Sequence, residues 1–586
     1  MEKDGYERMS IEALGAIEQV AAPSPTVEIH LTDGRVLRGP RSATLESFLR
    51  DLPEAAENPI TGAIVNGELR ELTQPVTMEA VVRPVTMGDE DGARIYRRSL
   101  TFLLAAVFEQ AHPQAVLTID HSVSAGGFFC QVGGREPLTA AELKQLEAQM
   151  RGLVEADLPF VKEEVPLEEA LEIFRKKDYT DKLRLLRYRH KPYVTLYSLG
   201  DHRDYHHGFM VPSTGYLRWF DLKPMGQGFV LHYPRRGDPT QILPMPEYPK
   251  LLKTFRQYGD WLQRLGIDNT GALNDTIVSG DVRELILVSE ELHELHIVEI
   301  AKRIAGRAGQ VRAVLIAGPS SSGKTTFAKR LALQLLAQGL TPYPFELDNY
   351  FVDREDTPLN ERGEYDYESL GALDTVTLSD HLRRLVAGEE VRLRRYDFVQ
   401  GKGVEGETVR LEPGQIVILE GIHALDPGLL PGLDLGRTFR IYASCLTQLN
   451  LDRYNRISTT DTRLLRRIVR DARERGYSAQ QTIQRWDNVT AGEKKYIFPY
   501  QENADEIFNS ALVYELAAIK PLAEPLLRQV PYGSPEYVES KRLLAFLEWF
   551  EPIDQELIPD NSILREFVGG SILSQFHPWM NNHGEP

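Results

Sequence analysis

Residues 311–339 read VRAVLIAGPSSSGKTTFAKRLALQLLAQG. A short apolar run leads into a glycine- and serine-rich turn, and an amphipathic stretch follows. That order predicts a buried strand, a tight loop and a helix, the opening unit of a parallel α/β domain. The turn and first helical residues are Gly318, Pro319, Ser320, Ser321, Ser322, Gly323, Lys324, Thr325 and Thr326. They fit the GxxxxGK[ST] pattern in the strand–loop–helix context that it requires. Backbone N–H groups at such a helix start cradle phosphate, so these nine residues are the expected nucleotide-binding loop. Lys324 is expected to reach the β and γ phosphates and Thr325 to ligate Mg²⁺, which makes ATP and Mg²⁺ the expected cofactors.

Outward from this loop, the next apolar run, YPFELDNYF (343–351), ends near Asp348. A carboxylate at the C-terminal end of a parallel strand faces the crevice where phosphate chemistry occurs, so Asp348 is the candidate base for an acceptor hydroxyl. A helix N-cap is its plainer reading. QIVILEGIHAL (415–425) reads as a second buried strand ending at Glu420, a candidate for the metal's coordination sphere. Residues 451–475 hold eight Arg against four acidic residues. Arg463, Arg466 and Arg470 fall on one helix face, and with Arg475 they are expected to form a lid that closes over the transferring phosphate. A solvated surface helix is the alternative.

The stretches GPSSSGKTTFAKRL, ELDNYFVDREDTP, RRYDFVQGKG, VILEGIHAL, DTRLLRRIVRDARERG and FPYQENADEIFNSAL occur in the order of the uridine kinase and phosphoribulokinase family, which residues 310–510 resemble. The resemblance implies an ATP-dependent kinase with Asp348 as base, Lys324, Arg466 and Arg470 as catalytic cations, and Tyr350, Tyr396, Phe398, Arg463 and Arg475 near the acceptor. It departs at Gly401, where uridine kinases usually carry a histidine separated from YDF by two residues. The expected acceptor is therefore a nucleoside or a related sugar-containing metabolite rather than uridine specifically.

The first half carries no such constellation. Residues 26–87 alternate around Asp33–Gly34 and Asn66–Gly67, as two hairpins would. With VNGELRELTQPV as the best match, they resemble a TGS domain, a β-grasp fold. Residues 95–222 resemble the editing domain of threonyl-tRNA synthetase through IYRRSLTFLLAAVF, GGFFCQVGG, LEAQMRGLVEADLPF and YHHGFMVPSTGYLRWFDL. The polar positions of that family's site become Arg98, Phe102, His206 and Met210, so editing is not expected. His190, His202, His206 and His207 lack metal-ligand spacing, and His293 and His296 read as helix surface. The basic run 175–191, eight Lys or Arg against two Asp, raises an alternative function, a nucleotide-gated RNA-binding or translation-associated regulator.

The expected division is a lead-in at 1–25, a TGS-like unit at 26–87, an editing-like α+β unit at 88–240, a helical linker at 241–309, the phosphate-loop kinase domain at 310–520 and a helical extension at 521–586. A chain of 586 residues is long enough for several such units. Its net charge of −18 argues against a general nucleic-acid coat. Two cysteines, Cys130 and Cys445, allow no disulfide scaffold, and the polar start MEKDGYERMS is unlike a signal peptide. A cytoplasmic protein with no membrane segment is expected; homo-oligomerisation is left open.

Overall fold

The computed structural model describes residues 24–124, 126–359, 363, 365–397 and 399–576. Most of the expected lead-in, the polar end HPWMNNHGEP and Phe398 lie outside the described residues.

The C-terminal half is built on a five-stranded sheet. Its strands run Thr341–Glu346, Gln415–Glu420, Ala313–Ala317, Thr438–Ser444 and Glu506–Asn509 in spatial order, all parallel. Both faces are covered, which is why AVLIA and IVIL are unbroken apolar runs. Alternate residues serve two cores. Val314, Ile316 and Ile418 face a large core shared with the N-terminal half, while Leu315, Val417 and Leu419 face Leu378, Leu382 and Leu385 of the helix Thr375–Val386. The strand C-termini converge on one edge, where such folds place their ligand crevice.

The front half holds three further sheets. The first combines Thr26–Leu31, Val36–Pro40, Ile60–Val65, Glu68–Arg70 and Ala80–Thr86, with its first and last strands parallel. A short helix, Leu45–Leu49, packs on it and is capped by the Thr44 side chain. The turn residues Asn66 and Gly67 both have positive φ, as a two-residue hairpin requires. The next unit surrounds the buried helix Glu90–Ala111 with a four-stranded and a three-stranded sheet.

Three helices, Pro249–Leu265, Thr270–Ser279 and Val282–Ala305, bridge the halves. The last packs along the helix Lys324–Ala337, and Arg330 there pairs with Glu294 at 2.8 Å. His293 is buried in this seam beside the Ala511 carbonyl, not on the helix surface as its spacing predicts, because helix 282–305 has neighbours on more than one side. Beyond the parallel sheet, helices Glu515–Leu527 and Tyr537–Leu547 fold back over both halves. No helix among the described residues is long and apolar enough to cross a membrane.

Candidate active site

The central strand ends at Ala317 and the chain turns through Gly318–Gly323 before the helix beginning at Lys324. Gly318 lies so close to the neighbouring strand that an added Cβ would come within 1.9 Å of the Ala443 carbonyl oxygen. Ser321 and Gly323 both hold left-handed backbone, φ +57° and +80°. This folds the loop into a nest of N–H groups. The Ser321 and Ser322 hydroxyl oxygens are buried and without a hydrogen-bond partner. Such a cradle of donors fits the phosphates of a nucleotide.

Lys324 donates to the Pro319 carbonyl at 3.0 Å. Burial depresses its pKa, while the Glu420, Glu566 and Glu493 carboxylates oppose that shift. The Thr325 hydroxyl donates to Glu420 Oε1 at 3.1 Å. A hydroxyl and a carboxylate side by side are hard oxygen donors of the kind Mg²⁺ takes, so this pair fits the expected metal. Glu420 stands at the end of its strand. Burial raises its pKa, Lys324 counters that, and Asp348 is close enough to raise it further. Asp348 sits on the single turn Leu347–Tyr350 that follows the edge strand, and its pKa is raised by burial and by Glu346.

The arginine helix, Thr459–Arg475, departs from the expected lid. Arg463 and Arg466 are among its most buried side chains, 2% and 0% exposed. Arg463 donates to the Ser320 carbonyl at 2.8 Å and pairs with Glu493, which also accepts from the Ser320 N–H. Arg466 pairs with Glu515 and approaches the Ser321 carbonyl at 3.4 Å. These two arginines brace the back of the phosphate loop. Their shared face is the core face because Leu464, Leu465 and Ile468 anchor the helix there. The residues that do line the cleft are Arg467, Arg470 and Arg475, with Ser320–Thr325, Glu368 and Glu566, around a volume of about 240 Å³. Arg467 donates to the Ser320 hydroxyl at 2.8 Å, and Arg470 and Arg475 both reach Asp471.

The expected acceptor residues separate. Tyr350 is buried, stacks on Phe345 and bonds His381 through its hydroxyl at 2.9 Å, so it is core rather than cleft. Tyr396 lies edge-on to Phe351, which in turn meets Tyr367. Gly401 has φ +68°, and a side chain there would meet Arg354 at 3.0 Å, which explains a glycine where a histidine is usual. Sequence reasoning misses Glu368, Arg467 and Glu566 as cleft residues. Glu368 follows an aromatic-rich stretch, and Arg467 stands in the arginine run; no local pattern marks Glu566.

Residues 313–517 match the model of the Phosphoribulokinase / Uridine kinase family. These residues form a phosphoribulokinase- and uridine-kinase-like domain. The chain also matches threonine–tRNA ligases, at 30% identity over 197 residues for that of Desulforamulus reducens and 32% over 248 residues for that of Thermus thermophilus. These matches cover 33% and 40% of this chain and 31% and 37% of the relatives, so the chain spans about a third of their length. The N-terminal region is thereby related to threonyl-tRNA synthetase-like proteins. Among solved structures, D-glycerate 3-kinase from Cryptococcus neoformans is 15% identical with a TM-score of 0.26, over 36% of this chain and 90% of that one.

In the synthetase-like unit, Phe102 packs edge-on against His202 and His206, at centroid distances of 4.8 and 5.1 Å, and Arg98 donates to the Phe209 carbonyl. His206 is buried in this aromatic contact, and Met210 is buried too. Glu109, His202 and Asp204 lie close enough to share a metal ion, but Lys182 already pairs with Asp204 at 2.9 Å and with Asp452 at 3.3 Å. Of the cations in the basic run only Lys182 is buried, Arg175, Lys176, Arg184 and Arg187 are exposed, and several pair with neighbouring groups. Arg187 pairs with Asp275, Lys191 with Glu548, and Arg189 lies over Trp549. A wider cavity of about 1190 Å³ opens between the halves, lined by Glu109, Tyr179, Arg256, Asn269 and Gln448, away from the phosphate loop.

Proposed function

We propose that this chain transfers the γ-phosphate of ATP to a hydroxyl of a nucleoside or related sugar-containing metabolite. The observation that carries this reading is the convergence, at the C-terminal edge of three adjacent parallel strands, of the phosphate loop, Glu420 and Asp348. In this mechanism the loop N–H groups and Lys324 hold the phosphates, and Arg467, Arg470 and Arg475 offset charge that grows on the transferring group. Asp348 takes the acceptor's hydroxyl proton as its oxygen bonds to phosphorus and the bond to the β-phosphate breaks, releasing ADP. Thr325 and Glu420 would hold Mg²⁺, whose charge neutralises phosphate oxygens when bound. Arg463 and Arg466 support the loop without touching substrate.

Tyr396, Phe351 and Tyr367 form an aromatic wall suited to a planar base or a sugar face. The glycine at position 401 favours a broad reading of the acceptor, since its left-handed backbone and the Arg354 side chain 3.0 Å from an added Cβ both disfavour a side chain there. Within the basic run, Lys182 is buried against Asp204 and Asp452, and Arg175, Arg184, Arg187 and Lys191 already have acidic partners, which favours the kinase reading over the RNA-binding alternative. Incubation with ATP and a panel of nucleosides and sugars, read as phosphorylated product by mass, tests the proposal. ATP turnover with no phosphorylated acceptor from any panel member would refute it.

A further inference from the structure

The phosphate loop is also touched from the far end of the chain. Glu566 Oε2 accepts from the Thr326 N–H at 3.2 Å and from the Thr326 hydroxyl at 2.8 Å, although the two residues are 240 positions apart. Ile563, three residues earlier, sits against Gly323, with its Cγ2 2.5 Å from where a Cβ would be. Arg473 of the arginine helix donates to the Phe567 and Glu566 carbonyls at 2.6 and 3.0 Å, Arg466 lies over the Phe567 ring, and Lys329 donates to the Leu573 carbonyl at 2.7 Å.

A first-turn N–H group of a phosphate-loop helix is a donor that a bound phosphate uses. A carboxylate bonded to it already holds the place of an anion, and two anions at that distance repel. We infer that residues 562–574 form an autoinhibitory strap, in which the Glu566 carboxylate competes with a nucleotide phosphate for the helix N-terminus. The inference rests on the nucleotide site proposed above.

The strap is built so that its side chain can yield while its backbone stays. Ile563, Leu564 and Phe567 are buried, whereas Glu566 is only half-buried and lines the cleft. Upstream, the same extension is fastened to the front half. Glu539 pairs with Arg94 at 2.8 Å, Lys541 with Glu68 at 2.7 Å, and the Tyr532 hydroxyl donates to the Asn66 carbonyl at 3.1 Å. Anything that shifts the synthetase-like units therefore pulls on the segment that holds Glu566.

The test is calorimetric binding of a non-hydrolysable ATP analogue, and of adenosine, to the full-length chain and to Glu566→Gln and Glu566→Ala. The strap predicts about tenfold tighter binding of the triphosphate in both variants, since one repulsive charge is removed, with adenosine affinity unchanged. Thermal unfolding of each variant checks that it is folded. Triphosphate affinity equal to or weaker than that of the unaltered chain would overturn the strap while leaving the nucleotide site standing. An equal gain for adenosine would overturn it too, by showing a steric effect. Folded protein of all three forms that binds no triphosphate would overturn both readings.

Discussion

The Thr325 hydroxyl and the Glu420 carboxylate, 95 residues apart in sequence, meet at 3.1 Å beside Lys324. One begins the phosphate-loop helix and the other ends the adjacent parallel strand, so the sheet order itself creates the contact. The proposal that this pair holds Mg²⁺ predicts that Glu420→Gln lowers kcat/KM about a hundredfold, by weakening Mg²⁺ rather than ATP. Magnesium titrations of the rate check this; an unchanged Mg²⁺ requirement would remove Glu420 from the site.

Asp348→Asn should lower kcat by about 10²- to 10⁴-fold with little change in the KM for ATP, as loss of a general base does. A base works deprotonated, so the rate should rise with pH through the pKa of Asp348. Burial and Glu346 both raise that pKa above the ordinary 3.8. Glu346→Gln removes one of these causes and should move the acidic limb of the pH–rate profile to lower pH.

Arg466 and Arg470 separate stability from chemistry. Arg466→Ala leaves Glu515 buried without its partner and should cost about 3–5 kcal/mol of stability. Arg470→Ala, at the cleft, should lower kcat and leave the melting temperature within a few degrees of the original. Denaturant unfolding alongside steady-state rates distinguishes the two. If Arg466→Ala unfolds normally but is inactive, Arg466 belongs to the cleft after all.

Glu109 joins the halves. Burial alone would raise its pKa, but His202, Lys177 and Tyr454 bring it down to about 2. A carboxylate with a depressed pKa stabilises the fold fully above its unfolded value near 4.5, and that contribution, about 3 kcal/mol, is lost as pH falls toward 2. Glu109→Gln should therefore flatten the stability–pH curve between those limits, measured by denaturant midpoints at each pH.

What could be read from the chain follows how local each feature is. The phosphate loop is contiguous, and its glycines answer a steric demand confined to a few residues, so Gly318–Thr326 was legible. The parallel strands that lead to Asp348 and Glu420 were legible because each is an apolar run covered on both faces. The arginine run was legible as a helix, but which arginines face the cleft was not. That choice depends on Glu493 and Glu515, 30 and 49 residues beyond their partners Arg463 and Arg466. Tyr350 was misplaced for a similar reason, since its hydroxyl is taken by His381 on a later helix. Glu566 carries no local signal at all; only the return of the C-terminal extension brings it to Thr326. In the front half, the burial of Phe102 was legible from the apolar run around it, whereas its edge-on contacts with His202 and His206 were not. The pairing of the basic run with Asp275, Asp452 and Glu548 required the folded chain.

The central claim is phosphoryl transfer to a small hydroxylated acceptor with Asp348 as base. Its most direct test is product formation from ATP and an acceptor panel, uridine and cytidine included, by the unaltered chain and by Asp348→Asn, followed by mass. The account predicts a phosphorylated nucleoside or sugar from the first and almost none from the second. Phosphorylation at an equal rate by Asp348→Asn, or no phosphorylated acceptor from either, would contradict it.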